Sequence, residues 1–324
     1  MILWLNYRLK SKSTRIDYGQ KSGMKIIISK KAGFCQGVKR ALDLAISETT
    51  QSDEPVFTFG PLVHNNQVIS YLEDLGIERI DRIEDLPPGS HIIVRSHGIG
   101  PKDFEKIQAR NLTIVDGTCG KVKTVQNIAK GLFEKGYKII ILGAPKHPEI
   151  KAIREYVNDE ALVINSLDDI KNPLFEKIPE KIGLVCQTTL SHAFFDQAVE
   201  KIKAQIPHIE IHNTICGATS TLQKEARSVA EKVDLMIVIG SPESSNTAKL
   251  AELSVEITRM HRIERHEELD ESWFTKGMKI GITAGASSPA WVIKDVINRL
   301  MEIGRKLDGK VEVENASQYL VCND

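Results

Sequence analysis

The feature that most constrains this chain is a short cysteine-bearing stretch that occurs three times. The first copy is Ala32-Gly33-Phe34-Cys35-Gln36-Gly37-Val38-Lys39, the second Asp116-Gly117-Thr118-Cys119-Gly120-Lys121-Val122-Lys123, the third Asn213-Thr214-Ile215-Cys216-Gly217-Ala218-Thr219-Ser220. In each copy an apolar run gives way to small residues, a cysteine follows, and amphipathic-helix spacing begins. Small residues beside a thiol let the backbone approach closely. A helix start offers free N–H groups and the positive end of its dipole, which favour thiolate over thiol. The likeness continues downstream to matched glycines, Gly60, Gly143 and Gly240, each closing an apolar run. A second apolar run then leads to polar residues: Ser96-His97-Gly98, Gln187-Thr188-Thr189 and Thr283-Ala284-Gly285. A unit of roughly 85–100 residues is far longer than a solenoid turn, so the pattern predicts three α/β lobes. One cysteine from each lobe predicts a central three-thiolate site.

The 324 residues allow a substantial core divided among two or three domains. Lys plus Arg and Asp plus Glu balance at 43 each, so no polyanion-binding surface is expected and no nucleic-acid partner. No window approaches the roughly 18 apolar residues of a membrane helix. The cysteines number five, with no CxxC pair among them. That usage suits a reducing cytoplasm, where cysteines bind metals or do chemistry. Cys186 lies inside an apolar strand and reads as a small core residue, and Cys322 as incidental.

Residues 1–23 carry Lys10, Lys12, Arg15 and Lys21 without a signal-peptide core, and are expected to be a disordered extension. The first lobe is placed at 24–118, with 300–324 returning to it, the second at 119–215 and the third at 216–299. Strands alternate with helices throughout, which predicts mostly parallel sheets. Ligand groups should then gather beyond the carboxyl ends of the strands.

Three thiolates can hold three irons of a [4Fe–4S] cube and leave the fourth iron open, whereas four would complete it. An open iron is a Lewis acid. Three cysteines plus a histidine also make a zinc set, though structural zinc sites draw ligands in close pairs. His64, His97 and His147 follow strand ends in equivalent-looking turns; near neutrality a histidine can donate hydrogen bonds to an anion or pass protons. Ser244-Ser245-Asn246 and Ser287-Ser288 lie at strand-to-helix turns, where hydroxyl, amide and free helix N–H donors can seat a diphosphate. Ordinary capping would need one such residue. Glu149, two residues after His147, is a candidate proton donor.

Taken in order, these motifs, with Val63-His64-Asn65, His147-Pro148-Glu149 and Gln187-Thr188-Thr189-Leu190-Ser191, resemble those of the 4-hydroxy-3-methylbut-2-enyl diphosphate reductase (LytB) family. The resemblance runs from about Met24 to Leu300. It implies three pseudo-equivalent α/β lobes around one [4Fe–4S] cluster per chain, ligated by Cys35, Cys119 and Cys216 with one iron open. It implies diphosphate binding by His64, His97, Ser244, Ser245, Asn246 and Ser287, with His147 touching both the diphosphate and the proton path. Thr188, Thr189 and Glu149 would face the rest of the substrate, Glu149 delivering protons. The implied reaction removes the C4 hydroxyl reductively and yields isopentenyl and dimethylallyl diphosphate, with ferredoxin or flavodoxin supplying single electrons. Gly120 and Gly217 depart from the bulkier residues common there. The alternatives are a redox-neutral [4Fe–4S] dehydratase or quinolinate-synthase-like enzyme, and a zinc-stabilised binding protein.

Overall fold

The computed structural model describes residues 23–170 and 181–320. The extension expected over 1–23 lies outside the described residues but for Gly23, and so does Cys322. β1 (Met24–Ile28) leads through Cys35 into α1 (Gln36–Gln51). β2 (Val56–Phe59), α2 (Asn66–Asp74), β3 (Glu78–Ile80), β4 (His91–Val94), α3 (Pro101–Ala109) and β5 (Thr113–Asp116) follow. The next lobe runs α4 (Gly120–Glu134), β6 (Lys138–Leu142), α5 (Pro148–Glu155), β7 (Leu162–Ile164), β8 (Ile182–Cys186), α6 (His192–Lys203) and β9 (Glu210–Ile211). The last comprises α7 (Gly217–Ala230), β10 (Leu235–Ile239), α8 (Ser245–Val255), β11 (Arg259–Ile263), β12 (Lys279–Ala284), α9 (Ala290–Asp308), β13 (Val311–Glu314) and the short α10 (Ser317–Leu320).

The strands form three separate sheets, ordered β3-β2-β4-β5, β7-β6-β8-β9 and β11-β10-β12-β1-β13. Neighbouring strands run parallel in each, for instance β2 with β4, β6 with β8 and β10 with β12. The central strands β8 and β10 are buried at every residue, as parallel strands covered on both faces must be. The three orders match if β1 is equated with β5 and β9. Each of these strands leads to a cysteine.

This topology differs from the expected lobe boundaries. β1 and β13, both assigned to the first lobe, belong to the third sheet, where β1 pairs with β12 on one side and β13 on the other. The repeat is strand, cysteine, helix, so the strand before a cysteine completes the sheet preceding it. For Cys35 no earlier sheet exists among the described residues, and β1 completes the last one. The C-terminal return to β1 thereby closes a ring of three lobes.

The matched glycines occupy matched places. The N–H groups of Gly60, Gly143 and Gly240 donate to Ile80, Ile164 and Ile263, each at the end of a second strand, over 2.7, 2.9 and 2.9 Å.

Gly120 and Gly217 open α4 and α7, and a Cβ at either position would meet nothing within 4 Å. Cys119 is extended (ψ 134°), as a residue preceding proline must be. Gly120→Pro should therefore stabilise the fold by about 0.4–1 kcal/mol through the unfolded chain. A melting temperature raised by about 1–3 °C would register it, and a fall would show that Gly120 is needed where it stands.

Candidate functional site

The site is built on the threefold repeat. Each cysteine is the N-cap of its helix: Cys35 of α1, Cys119 of α4, Cys216 of α7. Each also donates its backbone N–H to the polar turn after the third strand of its own sheet. Cys35 donates to Ala286 (3.2 Å), Cys119 to Ser96 (3.0 Å) and Cys216 to Thr188 (2.9 Å). The thiols are free and partly buried, and all three line one cavity of about 100 Å³. Gly37 marks their convergence: a Cβ there would stand 2.6 Å from Cys119 Sγ and 3.8 Å from Cys35 Sγ. That cradle exists because residue 37 has no side chain. Burial pushes the Cys35 thiol up, against the opposing N–H groups of Val38 and Gly37, so a metal must displace its proton. Cys186 is fully buried in β8 and is not among the lining residues, as a core residue should be.

Beyond the thiols the cavity is a seat of unpaired polar groups. The rings of His64, His97 and His147 cluster with centroids 4.8, 5.1 and 5.9 Å apart. Both nitrogens of His64, Nδ1 of His97 and both amide atoms of Asn246 are buried without a hydrogen-bond partner among the described residues. Orphaned polar atoms so concentrated call for a ligand. Ser244 caps α8 by accepting from Thr247 N–H (3.3 Å), which leaves Ser245 and Asn246 in the first turn, where backbone N–H groups are free. Ser287 donates to the His64 carbonyl oxygen (3.2 Å), tying the first lobe to the third. Gln187 Nε2 donates to Thr189 Oγ1 (3.0 Å) and Ser245 Oγ (3.1 Å), tying the second to the third.

Three clustered histidines could equally suggest a metal. His147 argues against it. Its Nδ1 accepts the Glu149 backbone N–H at 3.2 Å, so the neutral ring carries its proton on Nε2. A ring fixed in that tautomer offers a donor, which suits an anion and not a cation. Burial pushes all three histidines down, His97 well below the ordinary range and His147 to about 3, with neighbouring positive charges, Arg95 included, adding to the effect. The three rings are thus neutral at pH 7. A bound polyanion must raise these values, so inorganic pyrophosphate should bind with net proton uptake. Calorimetry in buffers of different ionisation heats measures it, and no uptake would take the histidines out of the anion seat.

Glu149 lies in the first turn of α5 and is 1% exposed. Burial pushes its carboxyl up to about 7, against two hydrogen bonds from Thr188. Thr188 N–H donates to Oε1 (2.7 Å) and Thr188 Oγ1 to Oε2 (2.8 Å). A carboxyl group with that value can hold or release a proton at neutral pH.

Cys35, Cys119, Cys216, His64, His97, His147, Glu149, Thr188, Thr189, Ser244, Ser245, Asn246 and Ser287 all line this cavity. Ser96, Lys121 and Thr219 line it too and were missed as site residues. Their signal in the sequence was proximity, since each lies within three residues of a predicted one.

A family model described as LytB protein matches residues 26–301. A 4-hydroxy-3-methylbut-2-enyl diphosphate reductase from Citrifermentans bemidjiense is 39% identical over 285 residues, covering 87% of this chain and 99% of that protein. One from Clostridioides difficile is 37% identical over 277 residues, covering 86% and 99%. A solved structure of (E)-4-hydroxy-3-methyl-but-2-enyl diphosphate reductase, the terminal enzyme of the non-mevalonate pathway, matches with a TM-score of 0.65 at 37% identity, over 86% of this chain and 99% of that one. The E-1-hydroxy-2-methyl-but-2-enyl-4-diphosphate reductase from Plasmodium falciparum matches with a TM-score of 0.82 at 27% identity, over 90% and 92%. On its sequence and its fold alike, this chain belongs to the LytB protein family.

Proposed function

We propose that the chain is a 4-hydroxy-3-methylbut-2-enyl diphosphate reductase, taking that allylic diphosphate to isopentenyl and dimethylallyl diphosphate. The observation that carries this reading is one cavity lined by three helix-capping cysteines, an orphaned donor seat and a buried carboxyl group. The reaction breaks the C4–O bond, consumes two electrons and two protons, and releases water. Cys35, Cys119 and Cys216 would hold a [4Fe–4S] cluster, which when bound supplies the electrons and a Lewis-acidic iron. The chain's own groups do the rest. His64, His97, His147 Nε2, Asn246, Ser287 and the first turn of α8 take the diphosphate. Their cost of burial is offset once the anion pairs with them. Thr188 orients the Glu149 carboxyl, which delivers a proton toward the hydroxyl end. Thr189 and Gln187 close the wall between the second and third lobes. The electrons come singly from ferredoxin or flavodoxin. The cysteine usage suits a cytoplasmic enzyme, and no helix among the described residues is long and apolar enough to cross a membrane.

The test is anaerobic. Protein shown to contain iron and sulfide is mixed with reduced methyl viologen, and substrate is added. Substrate-dependent dye oxidation with both products is expected. No oxidation would sink the reading in favour of a redox-neutral reaction.

A further inference from the structure

Outside the cavity, exposed aromatic side chains meet where α2 faces α9. Tyr71 and Trp291 are 38% and 42% exposed, and Leu75, one turn on from Tyr71, is 39% exposed. The Tyr71 ring packs on Trp291 with centroids 5.6 Å apart, and Trp291 meets Phe34 edge-on at 6.3 Å. Phe34 directly precedes Cys35. An aromatic patch thus runs from solvent to the residue beside the first cysteine, joining α2 of the first lobe to α9 of the third. Exposed Trp and Tyr at one spot are the side chains that carry most of the energy of protein interfaces.

The charge around Phe34 is one-sided. Lys30, Lys31, Lys39 and Arg40 fall between residues 30 and 40, and no carboxylate does, in a chain whose charges balance. Lys30, Lys31 and Lys39 are exposed. Neither these three nor Lys294, one turn on from Trp291, has an ion-pair partner among the described residues. Glu73 and Asp74 lie at the far, Tyr71 side. An aromatic centre with a cationic rim fits an acidic protein surface.

We propose that this patch is the docking surface of a small acidic protein that carries one low-potential electron, with Phe34 bridging that partner to Cys35. The proposal rests on the reductase reading, whose two electrons then arrive in two dockings, one carrier molecule being oxidised at each.

Flavodoxin is the probe, used with the iron-loaded chain. Trp291→Ala with Tyr71→Ala should weaken flavodoxin binding in calorimetry by at least about tenfold. The flavodoxin-driven rate at low carrier concentration should fall alike, while the methyl-viologen-driven rate is unchanged. Lys30→Glu with Lys31→Glu should do the same and flatten the salt dependence of binding. Unchanged flavodoxin affinity in both variants would overturn the proposal. So would a parallel fall of both rates, which would mark the patch as structural. A wild-type dimer in sedimentation that Trp291→Ala dissolves would reassign the patch to self-association. If wild-type protein shows no dye-driven turnover, the reductase reading fails, and the calorimetry still decides whether the patch binds the carrier.

Discussion

Glu149→Gln should lower turnover by about 10²–10⁴-fold, the usual contribution of a positioned proton donor. Iron content and the visible spectrum should stay as in the wild type. Glutamine is the same size and can still accept the Thr188 N–H bond, but it has no proton to give. The wild-type pH profile carries the same signature. Glu149 is held at about 7 by burial, so the proton-bearing form predominates below that and is lost above it. The rate should therefore fall as pH rises through about 7. Stability moves the same way: the folded value lies above the unfolded one, so the group favours the folded state below its unfolded value near 4.5, and that contribution is lost as pH rises toward 7. Glu149→Gln should remove this pH dependence and should not melt earlier at pH 8, which separates a chemical defect from a folding one. Full activity in the variant would remove Glu149 from the mechanism.

Replacement of Cys119 by serine should abolish both the brown chromophore and dye-driven activity. The three thiols act as a set, because each lobe contributes one cysteine and all three line the same cavity. A serine oxygen there is harder, and at neutral pH it keeps its proton. Cys35→Ser and Cys216→Ser should behave alike, since the N-cap position and the N–H bond to the polar turn are the same in all three. Cys186→Ser should keep iron, sulfide and turnover, since Cys186 packs in β8 outside the cavity. Iron and sulfide assays on the four variants decide the point, and any one of the three retaining full cluster would break the ligand set.

Much of the fold was legible because the chain writes its plan three times. Buried parallel strands such as Leu235–Ile239 need continuous apolar runs, and these show in the sequence. The strands Glu78–Ile80, Arg259–Ile263 and Val311–Glu314 do not announce themselves, because they lie at sheet edges and carry charge. Residues 210–211 are too short to read as a strand at all.

By itself the sequence determined which residue types stand at the strand ends and how often. Three cysteines, three histidines and the hydroxyl-rich turns follow from local spacing, and local spacing is what a sequence displays. Only the tertiary structure decided where β1 goes, since strand pairing between residues 25 and 279 depends on how lobes close and leaves no local mark. The pairing of Glu149 with Thr188, and the stranding of His64 and Asn246 without partners among the described residues, were decided there as well. Burial and hydrogen-bond deficit are properties of what surrounds a group, and here the surroundings come from three separate lobes.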